Sequence, residues 1–215
     1  MTDLQHRAGS LFVVSAPSGA GKTSLVRALL ADAPLIQLSV SCTTRAARAG
    51  EVHGRDYVFI DAAEFERRRA AGEFLEWAEV HGNLYATSRA WIEEHIAAGV
   101  DIVLEIDWQG AAQVQRLYPD AIGVFIVPPS IDVLRERLTQ RGQDSAEVIE
   151  RRVAAAEAEL KQAHRFQYVI INQDFASALR DLRTIVEAAR LRYSKQQARH
   201  LVVFGELGIS DPNKV

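Results

Sequence analysis

With 215 residues, of which 48% are hydrophobic and 25% charged, the chain has the make-up of one mid-sized folded domain. Disordered, collagen-like and low-complexity classes are excluded. The net charge of −3 argues against non-specific binding to nucleic acid.

From the N-terminus, residues 1–10 lack a basic-then-apolar signal pattern, and no stretch approaches the ~20 apolar residues of a membrane span. The single cysteine, Cys42, excludes a disulfide framework and a cysteine-built zinc site. A cytoplasmic protein with no membrane partner is expected. The apolar run 11–15 predicts a buried strand. It leads into Ala16-Pro17-Ser18-Gly19-Ala20-Gly21-Lys22-Thr23, which fits the phosphate-loop pattern G-x-x-x-x-G-K-[ST] with Ala16 in the first glycine position. Gly19 and Gly21 let the backbone turn its N–H groups inward. With the start of a predicted helix, 22–31, these groups form an anion cradle. Lys22 reaches toward β- and γ-phosphates, the Thr23 hydroxyl is a direct Mg²⁺ ligand, and Ser24 extends the ATP-binding run. The loop points to a nucleoside triphosphate and leaves the acceptor open.

Between 37 and 89 the pattern changes. Short runs at 38–42, 57–60 and 74–80 are separated by glycine and charge, which predicts a small mixed, partly antiparallel insertion. Arg45 and Arg48, three apart and beside hydroxyls, are a candidate second anion site, because guanidinium forks grip phosphate oxygens in pairs. Alternation in 74–80 puts Glu76 and Trp77 on opposite faces. Residues 81–88 read as a turn with two hydroxyl donors.

Beyond it, strands are predicted at 101–106, 121–127 and 168–172. Helices are predicted at 109–117, 131–141, 147–164 and 175–193. Strands alternating with helices imply a parallel sheet covered on both faces. Glu105 and Asp107 fall at the C-terminal end of a buried strand, the edge where open α/β sheets bind ligands. The polar stretch 139–151 is a candidate mobile lid, and 205–215 reads as an irregular tail.

These segments, taken together, resemble the guanylate kinase family. The resemblance is carried by the phosphate loop, by Ser41-Cys42-Thr43-Thr44-Arg45-Ala46-Ala47-Arg48-Ala49-Gly50-Glu51 with Asp56-Tyr57 following, and by Phe74-Leu75-Glu76-Trp77 with its turn to Ser88. Ile106-Asp107-Trp108-Gln109-Gly110 and Arg141-Gly142-Gln143-Asp144-Ser145 complete it. It runs from about Ser10 to Tyr193. It implies an α/β fold: a P-loop parallel sheet flanked by helices, with a small mixed-sheet GMP-binding insertion and a helical lid. The implied division is 1–36 core with the phosphate loop, 37–90 GMP-binding subdomain, 91–138 core, 139–165 lid, and 166–215 core and tail.

The resemblance also implies roles. Ser41, Arg45, Arg48, Tyr57 and Tyr85 match residues around the GMP phosphate. Glu76, Thr87 and Asp107 match residues that read guanine. Chemistry agrees: one guanine edge offers N1–H and 2-amino donors, which a carboxylate accepts together, whereas adenine N1 is an acceptor. Arg137, Arg141 and Arg152 match lid arginines at the triphosphate, and Asn172 a position near adenine. Lys22, Arg45, Arg141 and Arg152 are the implied catalytic set. Glu105 is a candidate for a water-mediated metal or phosphate contact. The implied reaction is Mg²⁺-dependent phosphoryl transfer from ATP to GMP, with dGMP a further acceptor, in a monomer or homo-oligomer. Alternatives are a kinase of a phosphorylated ribose and a non-catalytic binding module. A regulatory GTPase is disfavoured, because no Asn-Lys-x-Asp run occurs. The Arg bias, 21 Arg against 4 Lys, reads as mostly compositional, with Arg45, Arg48, Arg141 and Arg152 as its working subset.

Overall fold

A computed structural model describes residues 8–31, 33, 35–80, 82–140, 142 and 145–209. Five parallel strands form the main sheet in the order β2-β7-β1-β8-β9: β1 (Leu11–Ser15), β2 (Ile36–Leu38), β7 (Asp101–Glu105), β8 (Ile122–Val127) and β9 (Tyr168–Ile171). β1 is buried along its whole length, as expected for a strand covered on both faces. Helices α1 (Lys22–Ala31) and α7 (Phe175–Arg190) cover one face through Leu25, Val26, Leu29, Leu182 and Val186. Helices α3 (Arg89–Ala97) and α4 (Trp108–Leu117) cover the other through Ile92, Ile96, Ala111 and Val114. From β1 the chain runs to the β2 edge through α1; from β7 it crosses to β8 through α4. The loop after β1 therefore opens into the crevice where crossovers diverge, the usual ligand position of such sheets.

A second sheet has the order β4-β3-β6-β5, built from β3 (Cys42–Thr43), β4 (Val58–Phe59), β5 (Phe74–Val80) and β6 (Asn83–Ser88). β3 pairs parallel with β4 and antiparallel with β6, and β5 pairs antiparallel with β6. This is the mixed insertion expected. Its details differ from the sequence reading in four ways. The run 38–42 is not one strand: Leu38 ends β2 in the main sheet, and Cys42 begins β3 in the other. Residues 83–88 form β6 rather than a turn. Helix α2 (Ala62–Ala70) carries one buried residue, Phe65, so its apolar period was too sparse to read. It is capped by Asp61 and laced by Glu64 with Arg67 and Arg68. Helix α3 was likewise missed.

The polar stretch after β8 is mostly helical. α5 (Ile131–Gln140) and α6 (Ala146–Leu160) pack on each other through Leu134, Leu138, Ile149 and Val153, with Ser145 capping α6. Near the C-terminus, α8 (Tyr193–Arg199) and α9 (Leu201–Glu206) follow α7, so Gly205 and Glu206 end a helix rather than begin an irregular tail. Among the described residues no helix is long and apolar enough to cross a membrane.

Candidate active site

One cleft of about 300 Å³ lies between the two sheets. Its walls come from the loop after β1, from β5 and β6, from the end of β7, and from α6. It brings together Ala16, Pro17, Ser18, Gly19, Gly21, Lys22, Thr23 and Ser24 with Ser41, Tyr57, Glu76, Tyr85, Glu105, Asp107 and Glu159.

The phosphate loop is shaped by its glycines. Gly19 and Gly21 both have φ near +94°, a region that side chains disfavour. A Cβ on Gly21 would also sit 2.3 Å from Asn172 Nδ2. Asn172 is buried, and its amide donates to the Ala20 carbonyl at 2.7 Å. Arg137 donates to the Asn172 carbonyl at 2.8 Å. In this structure both residues brace the loop from outside that cleft, beside a separate groove shared with Gln173 and Phe175. Arg152, on α6, donates to the Ser18 hydroxyl. Lys22 Nζ donates to the Ile106 carbonyl at 3.3 Å. The Thr23 hydroxyl donates to Glu105. Arg141 lies outside the described residues.

At the other end of the cleft stands Glu76. It is 3% exposed while its neighbour Trp77 is 37% exposed, as the strand alternation requires. A bulge between Phe74 and Glu76 shifts the register there. Burial pushes the Glu76 carboxyl up to about 7; the Thr87 hydrogen bond opposes this, and the nearby Asp107 adds to it. Thr87 has no exposed surface and donates to Glu76 Oε1 at 2.6 Å. It therefore supports the carboxylate from behind and is not part of the cleft wall. Asp107 caps α4 by accepting from Gly110 N at 2.9 Å. Gly110 itself is a requirement that sequence reasoning missed: a Cβ there would lie 2.4 Å from Glu76 Oε2. Gln113 locks α4 to β5, accepting from Trp77 N at 3.3 Å and donating to Trp77 O at 2.6 Å.

Arg45 and Arg48 do not line the cleft. Arg45 grips Glu51 with bonds of 2.8 and 3.0 Å and lies 5.4 Å from the centre of the Tyr57 ring. Arg48 is exposed, and its backbone N–H donates to Glu51. The threonines of the Ser-x-Thr-Thr-Arg run are structural. Thr43 donates to the Leu84 carbonyl and accepts from Arg45 N, and Thr44 accepts from Leu84 N. They pin the arginine loop to β6. Tyr57 and Tyr85 meet edge-on at 6.0 Å on the cleft wall.

A phosphate cradle thus faces a buried carboxylate of the insertion across one cleft. The family model described as guanylate kinase matches residues 8–189. The chain belongs to the guanylate kinase family. The guanylate kinase of Ralstonia nicotianae is 60% identical over 204 residues, covering 95% of this chain and 92% of that protein. The guanylate kinase of Dechloromonas aromatica is 57% identical, covering 92% and 98%. Among solved structures, guanylate kinase from Anaplasma phagocytophilum superposes with a TM-score of 0.75 at 32% identity, covering 94% of this chain and 97% of that one. The fold of a guanylate kinase is therefore shared over nearly the whole chain, insertion included.

Glu159 of α6 was also missed from sequence. It sits in a helix rich in exposed charge, where one more acid looks like a solvated face. Nothing local marks it as part of the cleft wall.

Proposed function

We propose that this guanylate-kinase-family chain transfers the γ-phosphoryl group of ATP to GMP, giving ADP and GDP. The observation that carries the reading is Glu76, a buried acid in the same cleft as Lys22. A buried carboxylate left unpaired by the wrong base is costly, which makes it a strong discriminator. Guanine offers the two donors that Glu76 and Asp107 accept.

In this reading the loop 16–24, with Lys22, binds the donor phosphates. The arginines of the helical segment 139–165, Arg141 and Arg152, approach the transferring group as that segment closes. Arg137 and Asn172 hold the loop beside the adenosine end. Ser41, Tyr57, Tyr85 and the Arg45–Arg48 loop take the GMP phosphate. Glu51 holds Arg45 until then; a phosphate, more highly charged, competes for the same fork. Phosphoryl transfer asks mainly for alignment and charge neutralisation. The acceptor phosphate is largely ionised near neutral pH, since its second pKa is about 6, so no residue is assigned as a general base.

A divalent cation fits the site. Thr23 and Glu105 pair a hydroxyl with a carboxylate at the loop mouth, and both are hard oxygen donors suited to Mg²⁺. Bound there, Mg²⁺ would offset charge on the β- and γ-phosphates. No cluster of three or more His, Cys, Asp or Glu able to hold a metal alone occurs among the described residues, so the ion would enter with the nucleotide. A coupled assay with ATP and a panel of GMP, dGMP, AMP, UMP and ribose phosphates tests the reading. GMP and dGMP should turn over and the others should lag by orders of magnitude; absence of GMP turnover would sink it.

A further inference from the structure

Four carboxylates line the cleft: Glu76, Glu105, Asp107 and Glu159. Three have work to do in the reading above. Glu76 and Asp107 face the base, and Glu105 is paired with Thr23. Glu159 has none. It is half-buried on α6, and among the described residues no hydrogen bond or ion pair engages its carboxylate. An acid withdrawn from water without a partner costs stability, and such a group in a cleft marks a site waiting for a donor.

Its position narrows the donor. The charges that act on Glu159 are Asp107 at the base-reading end and Lys22 at the phosphate end. All three residues line the same cleft. A nucleoside monophosphate spanning those ends runs its ribose through that cleft, past its α6 wall. Ribose offers hydroxyl donors, the groups an acid accepts in many nucleotide sites. Burial, and then Asp107, raise the carboxyl above its ordinary range, with Lys22 pulling against them. This agrees with a group short of donors. The helix supplies a further link. Arg152 and Glu159 are seven residues apart, two turns or about 10 Å along one face of α6. Arg152 already reaches Ser18 of the phosphate loop. One helix would then touch both the donor cradle and the acceptor sugar.

We propose that Glu159 is a further specificity-determining residue, whose carboxylate accepts hydrogen bonds from the ribose hydroxyls of the acceptor nucleotide. The inference rests on the ATP-to-GMP reading. The test is a substrate cycle: kcat/KM at saturating ATP for wild type and Glu159→Gln, each with GMP, dGMP, 3′-deoxy-GMP and 2′,3′-dideoxy-GMP. Glu159→Gln should cost about tenfold with GMP, the worth of a charge-assisted hydrogen bond. The loss should shrink to about twofold or less with the dideoxy acceptor, and the KM for ATP should stay unchanged. The comparison between acceptors is made within one preparation of each protein, so any unfolded fraction cancels from it. An equal loss on all four acceptors, no loss on GMP, or a change confined to the KM for ATP would overturn the inference. Failure of the wild type to use GMP would instead overturn the underlying reading.

Discussion

Strand β7 carries an acid at each end, and the two have opposite fates. Asp101, at its start, is fully buried and fully engaged. It accepts from Ser10 N at 2.7 Å, from Arg190 Nε at 2.6 Å and from Arg199 at 3.2 Å. The arginines come from α7 and α8, so this acid ties the C-terminal helices to the start of the sheet. Lys195 adds a bond to the Gly9 carbonyl at 2.8 Å. Among the described residues, Glu105, at the other end, is hydrogen-bonded only by the Thr23 hydroxyl, and the acids around it in the cleft pair with no arginine. One end of the sheet pairs its charges within the protein. The other, in the proposed reading, keeps them for a ligand. Buried charges are tolerated when paired, so the unpaired ones mark function.

That contrast can be broken from either end. The largest effect should come from Lys22→Ala, which removes the lysine of the phosphate loop from the cleft. A fall in kcat of about a thousandfold is expected, the scale of losing one group aimed at transition-state charge, with melting temperature little changed. A variant that retained most of its turnover would refute the role of the phosphate loop. Asp101→Asn should do the reverse. It leaves two arginines facing a neutral group, a loss of about 4 kcal/mol. For a chain of this size that is about 12 °C in melting temperature. At a temperature where the variant stays folded, its KM for GMP should match wild type. A specific rise in KM would show that the structural end of β7 is not separate from the working end.

The two ends also differed in how well the sequence announced them. The phosphate loop is local: eight consecutive residues with strand before and helix after, so its spacing sufficed. Glu76 and Asp107 were legible through the family resemblance and the strand alternation. The passage from β2 to β3 was not, because 38–42 is one apolar run whose halves join different sheets, and only tertiary pairing splits it. Gly110 looked like part of a motif. That its missing side chain makes room for Glu76 is visible only once α4 lies against β5. Thr87 had the right chemistry, and that it lies buried against Glu76 is visible only once β6 pairs with β5. Asp101, Arg190 and Arg199 were invisible as a set, since nearly a hundred residues separate the acid from its partners. Helix α2 failed to show itself because charge lacing, not an apolar stripe, dominates its surface.

The finest test of the contrast is Glu76, whose cost to the empty protein should depend on pH. Its carboxyl is raised from the ordinary 4.5 to about 7. A raised folded pKa means that the folded state holds the proton more tightly than the unfolded chain. The penalty is therefore absent below pH 4.5, grows as pH rises from 4.5 to 7, and is complete above 7. At full size it is about 3 kcal/mol. Glu76→Gln carries no ionisable group, so without nucleotide it should melt higher than wild type at pH 8, with the gap closing at pH 5. The same change should raise the KM for GMP far more than that for ATP. In the wild type, GMP must meet the ionised acid, so its affinity should weaken as pH falls below 7. A gap in melting temperature that ignored pH would mean that the environment of Glu76 does not hold its proton. Loss of GMP and ATP use in equal measure would remove Glu76 from base recognition. Both results as expected would show that the carboxylate which the empty protein tolerates at a cost is the one that the acceptor base requires.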